Sequence, residues 1–324
     1  MSGRVTCHRL FGEVVRALRA LCRHRLVTAI SICLAFSLSV SAQRTTSPAS
    51  SPSLTITTEP NAIVWLDEIR RGTTDATGKL NITKISAGRH TLRVRANGFK
   101  ETTLPLLPGK RGSVPVKLVR TTDGAELAFQ RAETVRETAK DDESRRQAVE
   151  MYREALKLRP AFPAAHVGLA RVFFDLNDYQ EALSEIAAAR RLRPVYAEAS
   201  AVEGRIHRER AFEDEAIASF RRSIRESRGF QPEAHVGLAR VLEEKGQLDE
   251  ATAEYRKALE QLSDSEPVIY QLLGAAYEKQ QKYKEAVAAY EKYLALAPNG
   301  SLAPALRSVI EQLKRDAAGQ EIIP

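Results

Sequence analysis

The string AHVGLARV occupies residues 165–172 and recurs at residues 234–241, 69 positions later. That distance is close to twice 34, so another copy of the same unit should lie between the two. Small residues follow this period: Ala182, Ala216, Ala251 and Ala286 stand 34, 35 and 35 apart. Four positions after each comes a large apolar side chain, Ile186, Phe220, Tyr255 and Tyr290. Three further on come Ala189, Ser223, Ala258 and Tyr293. Pro160, Pro194 and Pro298 mark recurring turns. A period of this length belongs to a two-helix unit that cannot bury its apolar face alone, so copies must stack.

The first helix of each unit carries a close-packing pair, Leu169-Ala170, Leu238-Ala239 and Leu273-Gly274. Phe173, Leu242 and Tyr277 follow three residues on. The pattern, most complete at residues 267–300, resembles the tetratricopeptide repeat (TPR). About five repeats are expected over residues 125–300. The first, 125–160, is divergent; it has Ala148, Tyr152, Ala155 and Pro160 in its second helix and an expected long acidic loop around residues 140–144. The others span 163–196, then 197–230 with Gly204 and a lengthened exit at residues 227–231, then start at 232 and 267. A helix from Ala303 to Arg315 should cap the array, within a C-terminal segment of residues 301–324.

The resemblance implies an adaptor that holds a protein or peptide along the concave face made by its first helices. Arg171, Arg205 and Arg240 fall at equivalent positions there, and Arg208 lies one turn beyond Arg205. A guanidinium ladder grips carboxylates by paired N–H bonds, which points to an acidic partner. The opposing reading pairs these arginines with Glu243, Glu244 and Glu278, leaving a self-satisfied surface.

Ahead of the repeats the apolar period is two. Leu54 and Ile56 alternate with Thr, Leu92 and Val94 with Arg93 and Arg95, and Val114, Val116 and Leu118 close the series. Turn signals at Pro60-Asn61, Arg71-Gly72, residues 75–78, Asn97-Gly98 and Pro108-Gly109 separate the runs. Residues 53–119 are thus expected to form a small antiparallel β-sandwich, with Pro115 on an edge strand. Gly72, Gly78 and Lys79 echo a phosphate loop, but the glycines are one residue too far apart and Leu80 stands where Ser or Thr would hold a metal. The order Pro60-Asn61-Ala62, residues 64–67, Gly72-Thr73-Thr74, residues 88–94 and Gly98-Phe99 resembles the PEGA domain, with Asn61 replacing a glycine. The same stretch is similar to carboxypeptidase-regulatory-like domains. Both resemblances imply a non-catalytic accessory domain outside the cytoplasm. The fold class is therefore multidomain, an all-β sandwich followed by an all-α solenoid.

Residues 1–42 hold six Arg against one Glu, an uncharged apolar run at residues 26–40 and a Val40-Ser41-Ala42 end. This is the layout of a signal peptide cut after Ala42. The run of 15 falls short of the roughly 20 residues of a membrane span, so no stable transmembrane segment is expected after cleavage. The other reading is an uncleaved inner-membrane signal anchor with the domains outside. Either reading places the chain beyond the cytoplasm, periplasmic or extracellular. All three cysteines, Cys7, Cys22 and Cys33, lie in this stretch, so a cut chain has no disulfide and relies on its cores. Residues 43–52 read as a Ser/Thr/Pro-rich tether.

The net charge of +8 is uneven: residues 53–119 carry 11 Lys/Arg and 5 Asp/Glu. A basic sandwich suits an anionic envelope polymer, the alternative function; Lys and Arg guarding strand edges account for the same composition. No nucleic-acid partner is expected. No nucleophile elbow, zinc helix, phosphate loop or Cys/His ligand cluster occurs, so neither catalysis nor a cofactor or metal is expected. His166 and His235, equivalent in the repeat, are read as packing residues, and His90 as structural.

Overall fold

The computed structural model describes residues 53–67, 69–82, 85, 88–262, 264 and 266–320. The expected signal peptide, 1–42, and tether, 43–52, lie outside the described residues. Among the described residues nine strands come first: β1 Leu54–Thr57, β2 Ile63–Leu66, β3 Ile69–Thr73, β4 Lys79–Ile82, β5 His90–Arg95, β6 Phe99–Lys100, β7 Thr102–Leu106, β8 Gly112–Pro115 and β9 Val119–Arg120. They form a β4-β1-β8 sheet, a β3-β2-β5-β7 sheet and a β6-β9 pair. Leu54, Ile56, Val64, Leu66, Leu92, Val94 and Val114 interleave between the two larger sheets as one core. Period-two alternation sets this, since every second side chain points inward.

Two details depart from expectation. The sandwich is not wholly antiparallel, because β1 pairs β8 in parallel, Leu54 opposite Gly112 and Thr57 opposite Pro115. Trp65 turns away from the sandwich core yet is only 7% exposed; the guanidiniums of Arg93 and Arg95 cover its ring. Pro115 does sit on an edge strand. The Asp75 turn is an Asx turn: its Oδ1 accepts from the Thr77 and Lys79 amides at 2.8 and 3.0 Å. Those amide bonds, Lys79 first, hold the Asp75 carboxyl below its usual range.

Eleven helices follow among the described residues: α1 Gly124–Thr138, α2 Asp142–Leu158, α3 Pro163–Asp175, α4 Tyr179–Leu192, α5 Ala197–Glu209, α6 Glu213–Glu226, α7 Pro232–Glu244, α8 Leu248–Gln261, α9 Pro267–Lys279, α10 Tyr283–Leu296 and α11 Ala303–Gln320. Odd and even helices pair within each repeat, and each even helix packs on the next odd one. Ala182, Ala216, Ala251 and Ala286 are 0% exposed at these crossings. Glycine permits the closest approaches: a Cβ on Gly168 would stand 2.5 Å from Tyr152 Cε1, and one on Gly204 2.8 Å from Phe220 Cδ1. Ala303, Leu306, Ile310 and Leu313 of α11 close the apolar end of the last repeat, and that helix runs beyond the expected Arg315.

The expected acidic loop of the first repeat is absent. Only residues 139–141 join α1 to α2, with Asp141 capping the Ser144 amide at 2.8 Å. Asp142 and Glu143 instead form the first helical turn, where carboxylates favour the positive dipole end. In the later repeats the link is also three residues, but one residue there adopts positive φ: Asn177 at 63°, Ala211 at 58°, Gly246 at 75° and Gln281 at 58°.

The sandwich docks on α1. Gln130 accepts from the Gly98 amide at 3.1 Å and donates to Phe99 O at 2.7 Å. Arg70 meets Glu137 at 2.9 Å, and Arg95 meets Glu133 at 3.4 Å and Glu137 at 3.5 Å. The guanidiniums of Arg93 and Arg95 cover the Trp65 ring at 4.4 and 5.0 Å. Glu133 is buried and also accepts from Tyr152 and, at 3.2 Å, from Arg136. Burial alone would raise its pKa, but Arg136, Arg95 and Tyr152 outweigh that and lower it to about 2.

Candidate partner-binding groove

The odd helices form the inner layer of the solenoid, since α1, α3, α5 and α7 also touch one another in succession. Their free faces line a groove. Helical spacing brings Phe174 from α3, Arg205 and Arg208 from α5, and Val236 and Arg240 from α7 around one cavity of about 560 Å³. Three of the four expected arginines are thus gathered, with an apolar strip between them.

Their environments differ. Arg205 lies over the Phe174 ring at 4.6 Å and meets Glu233 at 3.5 Å. Arg208 grips Glu244 through Nε and Nη2 at 3.0 and 2.7 Å and meets Glu209 at 2.9 Å. Arg240 is exposed and has no ion pair among the described residues. A cation in this setting, beside an aromatic face and an aliphatic side chain, suits a carboxylate followed by an apolar group.

Arg171 is placed elsewhere. It pairs with Glu198 at 2.7 Å, within an adjoining cavity of about 540 Å³ that shares Glu233 and Val236 with the first and that Trp65, Arg70 and Arg93 of the sandwich help to line. Burial opposes its charge, but Glu198 and Glu233 outweigh burial and raise its pKa. Repeat equivalence could not show this, because the cavity that the sandwich helps to line also reaches Glu233, Val236 and, in the last repeat, Glu266 and Ile269.

Of the expected glutamate partners, Glu244 alone takes an arginine. Glu243 accepts from Tyr255 at 2.9 Å and Lys279 at 2.7 Å. Glu278 accepts from Tyr290. Burial first, then these carboxylates, push both tyrosine hydroxyls up in pKa. The equivalent histidines do more than pack: His166 meets Glu185 at 2.6 Å and His235 meets Glu254 at 2.5 Å, each tying the two helices of its repeat. His90 bonds Asp67 at 2.5 Å. No group of three His, Cys, Asp or Glu suited to a metal occurs among the described residues, nor any helix long and apolar enough to cross a membrane.

No curated protein matches the chain. Among solved structures, pilF of Pseudomonas aeruginosa is similar at a TM-score of 0.51 and 17% identity, over 60% of this chain and 88% of that one. A thermophilic TPR protein of Thermus thermophilus gives 0.48 at 20% identity, over 58% and 98%. YrrB, described as a TPR protein with an unusual peptide-binding site, gives 0.43 at 19% identity, over 58% and 94%. The likeness to pilF shows the fold alone. Residues 140–206 and 230–299 each match a family profile described as tetratricopeptide repeat; the chain carries TPRs in its helical part.

Proposed function

We propose that this protein is a non-enzymatic scaffold that holds an acidic protein or peptide segment in the groove around Arg205, Arg208 and Arg240. The observation that carries the reading is Arg240, a guanidinium with no ion pair among the described residues, which lines a cavity together with Phe174 and Val236. TPR arrays are interaction modules, and the cavity around Arg240 is lined by residues of the helical domain alone among the described residues. The chain acts outside the cytoplasm, periplasmic or extracellular, as the signal-like residues 1–42 suggest. Residues 53–119 are a PEGA-like accessory domain; the left-handed turn at Asn61, φ 56°, supports that reading. The helical domain is taken as residues 125–300 and its cap as residues 301–324.

A photo-crosslinking residue in place of Val236, used in the producing cell, tests this. The expected result is a covalent adduct with a protein, lost in an Arg205→Ala/Arg240→Ala variant whose melting temperature is unchanged. An adduct that persists in that variant, or none at all, removes the groove as the site.

A further inference from the structure

The sandwich has two ends. One is occupied: β5 runs from His90 to Arg95, and just beyond Arg95 the chain meets Gln130 of α1. The other end is about 20 Å away along β5, at roughly 3.4 Å per residue. Strand pairing fixes what gathers there. Leu54 opposes Ile82 and Gly112, and His90 opposes Leu106. The β7–β8 loop therefore projects from this end, with Gly88 and His90 beside it and the exposed Arg89 between those two in sequence.

That loop has an unusual makeup. Leu107 is 71% exposed. The turn Lys110 N to Leu107 O, 3.2 Å, brings the leucine and the next two cations together. Arg89, Lys110 and Arg111 are exposed and form no ion pair among the described residues. The sandwich carboxylate described near this end, Asp67, is held by His90 and by the Thr91 amide at 2.7 Å. Lone exposed leucines are ordinary on protein surfaces. A leucine at a loop tip ringed by unneutralised cations is the pattern of an interfacial anchor, with the apolar group below the headgroups and the cations on phosphate.

The chain's own course adds a second argument. Gly112 N donates to Ser53 O at 3.2 Å, so the N-terminal segment joins the sandwich at this same end. Its apolar run stops at Val40, and the twelve residues from 41 to 52 span at most about 40 Å when extended.

We propose that the end of the sandwich formed by Arg89, Leu107, Lys110 and Arg111 docks on an anionic lipid surface. The inference does not depend on what the groove binds.

The test compares full-length protein on phosphatidylcholine vesicles and on vesicles with a third of the lipid replaced by phosphatidylglycerol. Amide hydrogen exchange across residues 106–112 should slow on the anionic vesicles and not on the neutral ones. A Lys110→Ser/Arg111→Ser variant should lose that slowing. Its ratio of anionic to neutral partitioning should fall about thirty-fold, at roughly 1 kcal/mol per cation. A Lys79→Ser/Lys117→Ser variant removes the same charge from the opposite end and should keep the ratio. Equal losses in the two variants, or no slowing at residues 106–112, overturn the proposal. So does slowing produced equally by soluble alginate without vesicles, which would assign the surface to an anionic polymer.

Discussion

Gly168 of α3 faces the ring of Tyr152 of α2 so closely that the ring occupies the space a Cβ would need. The Tyr152 hydroxyl is tied to Glu133 and, at 3.3 Å, to Arg136, so the ring cannot swing aside. Gly→Ala inside a helix ordinarily stabilises by up to about 1 kcal/mol. Here the sign should reverse, and Gly168→Ala should destabilise by about 1–3 kcal/mol through overpacking. Chemical denaturation would show the change; an increase in stability would mean that Tyr152 yields.

Overpacking should also appear at the alanine crossings. Ala251 and Ala286 are completely buried, and Leu at either should cost about 1–3 kcal/mol. Thermal melts of the two variants should both move down. An unchanged melt at both would contradict the packing of these repeats.

Ala211 holds φ at 58° in the link between α5 and α6. A Cβ in that conformation costs roughly 1–2 kcal/mol, which glycine avoids while losing more freedom on folding. Ala211→Gly should therefore stabilise the protein by about 0.5–1 kcal/mol, and Gly246→Ala at the equivalent link should destabilise it. Paired urea titrations would read the two opposite signs.

The seam between sandwich and solenoid should be acid-sensitive. Glu133 is lowered from 4.5 to about 2 in the folded protein. Its stabilising contribution, on the order of 3 kcal/mol, is complete above about pH 4.5 and is lost as the pH falls toward 2. Stability measured from pH 6 to 3 should fall less steeply in Glu133→Gln, which is itself less stable at pH 6 because Arg95 and Arg136 lose their buried counter-charge. Parallel slopes in the two proteins would count against this account.

The solenoid was legible because its packing residues repeat: Ala182 to Ala286 announce every crossing. The links were only half legible. Asn177 and Gly246 are residue types that favour left-handed backbone, whereas Ala211 and Gln281 give no such signal and are held there by the helices on either side. The acidic stretch at residues 140–144 read as a loop because its charge suggested solvent, yet its carboxylates cap and begin α2. Among the arginines, repeat spacing brought out the equivalence of Arg205 and Arg240. It could not reveal that Arg171 shares a cavity with Trp65 and Arg93, because those residues come from domains distant in sequence. The β7–β8 loop gave no periodic signal; its significance depends on the pairing of Leu54 with Gly112.

That pairing also governs how the protein can assemble. Each helical repeat finds its partner helix within a few tens of residues, so the array can grow locally as the chain emerges. β1 cannot. It is the middle strand of its sheet, flanked by β4 and by β8, and the latter begins 58 residues after Leu54. Closing so distant a contact precedes any reward from it. The sandwich therefore has no stable half: a chain that ends before Gly112 keeps β1 through β7 but leaves β1 with one bare edge, and the first segment made becomes the last to be secured.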